Sequence, residues 1–209
     1  MDGLLIDSER GMWMKSERKA FTSLGYTTTD DFLRSMMGLS GDDLRQIFIK
    51  AYGKDFPYDK YMTEVYRLNE EVIEKGSIDL MPGAKELLDY LKDKNIKCVV
   101  GTGTPKEKAI KILTKTGLID YFEEVYSGYD VPHGKPFPDI YLKCLGNTPN
   151  DEAIVFEDSL NGEKSAIAAG IEVIIVPDLC YFSLEDRNKA YKVLNNLNEA
   201  IKIIDNILK

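Results

Sequence analysis

Three short, uninterrupted apolar runs constrain this chain more than any other feature: Lys97 to Gly101 (KCVVG), Ala153 to Phe156 (AIVF) and Val173 to Val176 (VIIV). A strand with one wet face alternates apolar and polar residues. A continuous run means burial on both faces, which is the habit of a parallel sheet. Val125 to Ser127 is a weaker strand candidate. Helical stripes separate and follow these runs. Ala84, Leu87, Leu88 and Leu91 recur at i, i+3, i+4 and i+7; Ala109, Ile112 and Leu113 repeat the pattern, as do Leu197, Ala200, Ile201, Ile204 and Leu208. Pro82-Gly83 opens the first of these helices, and Asn95 and Gly117 stand where helix ends belong. Strands alternating with helices of this length imply an α/β fold with a doubly wound, mainly parallel sheet.

The first third reads differently. From about Arg10 to Leu80 no strand is evident, and three apolar stripes follow one another: Phe32, Leu33 and Met36; Leu44, Ile47, Phe48 and Ala51; Met62, Val65, Leu68 and Val72. The expected organisation is an α/β core over residues 1–9 and 81–209, with a helical bundle inserted at 10–80. At 209 residues, with 44% hydrophobic and 30% charged, the chain is globular in composition. A net charge of −8 argues against general nucleic-acid binding. No stretch has the apolar length of a membrane helix. Cys98, Cys144 and Cys180 lack metal-ligand spacing, and one histidine, His133, nearly excludes a multi-His metal site. A cytoplasmic monomer with free thiols is the expectation.

Open parallel sheets bind ligands at the carboxyl ends of their strands, so the residues after each run carry the chemistry. After KCVVG come Thr102, Gly103, Thr104 and Pro105. Hydroxyls and a glycine before a helix form an anion site, although a plain threonine N-cap fits the same residues. After the weak strand come Gly134, Lys135 and Pro136: a lysine on a stiff loop could neutralise phosphoryl charge, or be simply solvated. After AIVF come Glu157, Asp158 and Ser159. Adjacent carboxylates at a buried strand end are costly without a cation and would suit Mg²⁺; the alternative is that Asp158 or Ser159 caps the next helix. At the start stand Asp2, Gly3 and, after an apolar triplet, Asp7-Ser8, an ordinary N-cap pair.

In order, DGLLIDSE, VVGTGTP, GKPFPDIYL and VFEDSLNG resemble the haloacid dehalogenase superfamily, within it the β-phosphoglucomutase-like branch of phosphatases and phosphomutases. The resemblance spans essentially the whole chain and implies a Rossmann-like core with a helical cap. It implies Mg²⁺-dependent hydrolysis of a small phosphorylated metabolite, of the sugar-phosphate kind, through an aspartyl-phosphate. Carried over, Asp2 is general acid and base, with its backbone carbonyl on the metal. Thr102, Gly103, Thr104 and Lys135 bind phosphate, and Lys135 stabilises charge. Asp158 ligates Mg²⁺, and Glu157 completes the acidic site directly or through water. Asn161 and Gly162 lie on the adjacent loop. The cap residues Met37, Gly38, Leu39 and Ser40 meet the substrate. No nucleic acid or membrane partner is implied.

The resemblance also sets three departures. The family pattern is D-x-D-G, and here x is Met1, so the nucleophile and the apolar strand ending in it fall upstream of Met1. About five buried apolar residues at ~1.5–3 kcal/mol each would be absent, against a domain stability of about 5–15 kcal/mol. The 209 residues are therefore read as truncated, with fold and activity expected to be severely impaired. Gly41 stands where the mutase has an arginine, and Met12 where it has a histidine. Both favour hydrolysis over a sugar phosphomutase. The remaining alternative is an inactive binding or regulatory protein.

Overall fold

The structure, a computed structural model, describes residues 1–36 and 41–208. Met37, Gly38, Leu39 and Ser40 therefore lie outside the described residues. The chain divides into two compact units, one formed by Met1–Asp7 with Asp79–Lys209, the other by Ser8–Ile78.

The Ser8–Ile78 unit is helical among its described residues. A wide π-helical turn over Glu9–Trp13 runs into α1 (Met14–Ser23), followed by α2 (Asp30–Ser35), α3 (Gly41–Tyr52) and α4 (Tyr58–Lys75). Thr29 caps α2 by accepting the Phe32 N–H at 3.2 Å. Gly76 ends α4 at a φ of 61°, the left-handed conformation that a glycine adopts without steric cost. The three sequence stripes meet in an aromatic core. Phe21 stacks on Phe48 with ring centroids 5.9 Å apart, and Tyr61 lies 4.7 Å from Phe21. Ala20, Leu33, Val65 and Leu68 close the core around them.

The other unit is the α/β core. Its elements are α5 (Ala84–Asp93), β1 (Val99–Thr102), α6 (Lys106–Lys115), β2 (Glu124–Ser127), α7 (Asp139–Leu145), β3 (Ile154–Glu157), α8 (Leu160–Ala168), β4 (Glu172–Ile175), α9 (Leu184–Lys189), β5 (Lys192–Val193) and α10 (Asn198–Ile207). Every pairing of these strands is parallel: β1 with β2, and β3 with β4 with β5. Val100 sits opposite Val125, and Phe156 opposite Ile174. Val173, Ile174 and Ile175 are buried, as a strand covered on both faces requires. Each parallel step needs a crossover, and α6, α8 and α9 supply them.

The first residues belong to this unit. Met1, Leu4, Leu5 and Ile6 are buried. The Asp7 N–H donates to Asp79 O at 2.9 Å, the Met81 N–H to Leu5 O at 2.9 Å, and Ile6 bridges Leu80 antiparallel. Gly83, before α5, has a φ of 85°, and a Cβ there would lie 2.2 Å from the Asn198 nitrogen. That close approach lets α10 pack against α5. Two segments depart from the sequence reading. Lys192–Val193 is a two-residue strand with no apolar run to announce it, and Asn161 and Gly162 lie in the first turn of α8 rather than on a loop. No helix among the described residues is long and apolar enough to cross a membrane.

Candidate active site

The carboxyl ends of β1 and β3 place most of the candidate residues. Thr102 ends β1 and is 3% exposed. Its hydroxyl accepts the Thr104 N–H at 3.1 Å, an internal turn that leaves Gly103 outermost. No atom lies within 4 Å of where a Gly103 Cβ would stand. Neither threonine caps α6; Pro105 holds the cap position, without a side-chain hydrogen bond. Both hydroxyls point to Asp2 instead: Thr104 Oγ1 donates to Asp2 Oδ2 at 2.7 Å, and Thr102 Oγ1 stands 3.5 Å from the same oxygen. Ser127, ending β2, anchors this loop by donating to Thr104 O at 2.8 Å.

Gly3 joins Asp2 to the acidic pair. Its φ is 68°, and a Cβ built on it would lie 2.3 Å from Asp158 Oδ2 and 3.5 Å from Asp178 Oδ2. Only a residue without a side chain lets these carboxylates approach the backbone so closely. Asp158 has its pKa raised well above the usual carboxylate range, first by burial and then by the charge of Glu157.

Glu157, the last residue of β3, is buried and saturated with donors. Its Oε1 accepts from the Lys135 ammonium and from the Tyr141 hydroxyl. Its Oε2 accepts from the Asp158 N–H at 3.1 Å, the Ser159 N–H at 3.3 Å and Ser159 Oγ at 3.0 Å. Burial alone would raise its pKa; the Lys135 charge, the positive amino group of Met1 and the hydrogen bonds outweigh that and hold it at about 2. Ser159 does double duty as the N-cap of α8, accepting the Gly162 N–H at 3.1 Å. Lys135, with 15% of its side chain exposed, also donates to Gly101 O at 3.1 Å. The contacts thus run in a closed circuit from Thr102 through Asp2, Gly3, Asp158, Glu157 and Lys135 back to Gly101.

Among the described residues, no group of three or more His, Cys, Asp and Glu side chains stands in position to hold a metal. Glu157 is turned to Lys135, which leaves Asp158 and, farther off, Asp178 as the carboxylates beside Gly3. Sequence reasoning passed over two residues at this rim. Asp178 follows the VIIV run, so the rule of inspecting each strand end would have found it. Tyr141, 6% exposed in α7, carries no sequence signal apart from core packing. Burial and the neighbouring Glu157 push its phenol well above the usual range, so it acts as a donor.

The chain is similar to known proteins along most of its length. A phosphorylated carbohydrates phosphatase of Thermotoga maritima is 32% identical over 176 residues, covering 83% of this chain and 81% of its own. Hexitol phosphatase B of Escherichia coli is 28% identical over 180 residues, covering 85% of this chain and 81% of its own. A crystal structure from Thermotoga maritima superposes with a TM-score of 0.85 at 27% identity, covering 99% of this chain and 96% of that one. The profile of the haloacid dehalogenase-like hydrolases matches residues 1–176, and with it the chain belongs to that family.

Proposed function

We propose that this protein is a Mg²⁺-dependent phosphatase of a small phosphorylated metabolite of the sugar-phosphate kind. The observation that carries the reading is the closed circuit of contacts joining Thr102, Asp2, Gly3, Asp158, Glu157 and Lys135. It links hydroxyl donors, an ammonium and carboxylates in one chain of contacts, the group types that phosphoryl transfer needs. The names of the Thermotoga and Escherichia phosphatases support the substrate class.

Asp158 and the Asp2 carbonyl are the groups that would hold Mg²⁺. The fit rests on a partly buried carboxylate pressed against Gly3 beside a second negative charge, an arrangement a cation relieves. Mg²⁺ needs only one or two protein carboxylates when phosphate and water complete its shell, and when bound it neutralises phosphoryl charge. Thr102, the Gly103 amide and Lys135 take the phosphoryl oxygens. In the family's D-x-D-G pattern the attacking aspartate stands two positions before Asp2, outside the 209 residues. As its oxygen bonds to phosphorus, the ester oxygen leaves and Asp2, steadied by Thr104, gives it a proton. Water then attacks the aspartyl-phosphate and Asp2 takes the proton back. Gly41 and Met12, in place of an arginine and a histidine, support hydrolysis over phosphoryl return.

The test compares the 209-residue chain with the same chain preceded by an apolar strand ending in Asp or in Asn, on a panel of phosphate esters with and without Mg²⁺. The Asp form should release phosphate, and the Asn form and the metal-free Asp form at least ~10³-fold more slowly. Asp158→Asn should weaken Mg²⁺ binding by calorimetry by more than about tenfold. Equal hydrolysis by the unextended chain would overturn the nucleophile assignment, and unchanged Mg²⁺ affinity in the Asp158 variant the metal assignment.

A further inference from the structure

Lys135 has three N–H donors, and two of them are committed: one to Gly101 O at 3.1 Å, one to Glu157 Oε1. The third is the donor a phosphoryl oxygen could use. Whether it stays available depends on how firmly Glu157 holds the ammonium. A carboxylate with a free lone pair on Oε1 draws the whole ammonium toward itself, because a buried charge seeks every donor within reach. In this protein that lone pair is taken. The Tyr141 hydroxyl donates to the same Oε1, while Oε2 is filled by Asp158 N, Ser159 N and Ser159 Oγ. The Tyr141 ring adds a second restraint, its centroid lying 4.8 Å from Lys135 Nζ, so that the ammonium rests over the ring face.

We propose that Tyr141 is a positioning residue: by occupying Glu157 Oε1 and supporting the ammonium from its ring face, it leaves one Lys135 N–H for the phosphoryl group. The inference rests on the reading of this rim as a phosphoryl site. It assigns to the tyrosine of the PDIYL segment a role distinct from core packing. The hydroxyl acts through Lys135 and needs no contact with substrate.

The experiment is a double-mutant cycle on the 209-residue chain, with Tyr141→Phe and Lys135→Met singly and together. Phenylalanine keeps the ring and removes only the hydroxyl; methionine keeps much of the lysine stem. Calorimetry with inorganic phosphate in saturating Mg²⁺ should show Tyr141→Phe about five- to tenfold weaker than wild type, the size of one ordinary net hydrogen bond. Mg²⁺ binding without phosphate should change less than about twofold, because the hydroxyl faces Oε1 of Glu157 and not Asp158. In the Lys135→Met background, Tyr141→Phe should change phosphate affinity less than about twofold, since its route of action is gone. A merely structural tyrosine would instead weaken phosphate binding equally in both backgrounds, with a matching fall in the urea midpoint, and that result overturns the proposal. So does wild-type phosphate affinity in Tyr141→Phe. If wild type itself binds neither Mg²⁺ nor phosphate, the phosphoryl-site reading fails first and this inference with it.

Discussion

At the scale of single residues, Gly162 shows how tightly the rim is built. A Cβ there would lie 1.9 Å from Glu157 Cδ and 2.1 and 2.2 Å from its two oxygens. Glycine is required by contact with the carboxylate, since its own backbone does not have a positive φ. Gly162→Ala should therefore displace Glu157 from Lys135 and Tyr141 and destabilise the protein by about 1–3 kcal/mol. Gly134→Ala, where nothing lies within 4 Å of the added carbon, should stay within about 0.5 kcal/mol. Urea unfolding of the two variants separates these outcomes. The same residues show what a sequence can disclose about a site. Thr102, Lys135, Glu157 and Asp158 stand out because strand ends are where parallel sheets keep ligands. The partition of labour among them does not. Glu157 and Asp158 are adjacent carboxylates in the sequence, and only their surroundings differ: five donors meet one, and the bare Cα of Gly3 meets the other. Tyr141 was illegible for a related reason, since a tyrosine among Ile140 and Leu142 in a helix is indistinguishable from packing until its hydroxyl finds a partner.

At the scale of elements, α1 carries a titratable group in an unfavourable place. Burial, and then the charge of Glu9, raise Glu17 from 4.5 to about 8. A folded pKa above the unfolded one means that the neutral form is favoured in the fold. The contribution is fully present below about pH 4.5, declines as the unfolded chain ionises while the folded one resists, and is gone above about pH 8. The helical unit should therefore lose stability across that window, and Glu17→Gln should flatten the loss and raise the midpoint at pH 8. Trp13, the chain's one tryptophan, packs edge-on against Tyr66 in this unit at 6.1 Å, so its fluorescence follows the unit's unfolding directly. The elements themselves were legible to different degrees. Runs such as VIIV declare strands because both faces are buried. Asn95, at a φ of 55°, and Gly117, at 72°, mark the ends of α5 and α6 because few residues tolerate the left-handed conformation. Strand β5 has only two residues, one exposed, and is held by backbone pairing to β4, for which sequence periodicity offers no signal.

At the scale of the whole molecule, the helical unit is one continuous insertion whose entry and exit are neighbours. Asp7 and Asp79 share a hydrogen bond of 2.9 Å, and Ile6 and Leu80 form an antiparallel bridge. Each unit has its own core, aromatic around Phe21 and Phe48 in one, aliphatic around Ile140, Val173 and Ile175 in the other. Replacing residues 8–78 of the Asp-extended chain by a short glycine-serine turn should then leave a core that folds cooperatively and keeps its Mg²⁺ affinity within a few-fold, while discrimination among phosphate esters collapses. Circular dichroism melting, calorimetry and an ester panel read the three outcomes; a molten product would show that the core depends on the insertion. The junction also governs how tension would travel through the protein. Leu5, Ile6 and Asp7 are clasped to Asp79, Leu80 and Met81, so a pull between the two termini passes across the clasp and leaves the intervening helices slack. Stretched in an optical trap, the helical unit should stay shielded until the clasp opens, and its full contour length should then be released in a separate, later step.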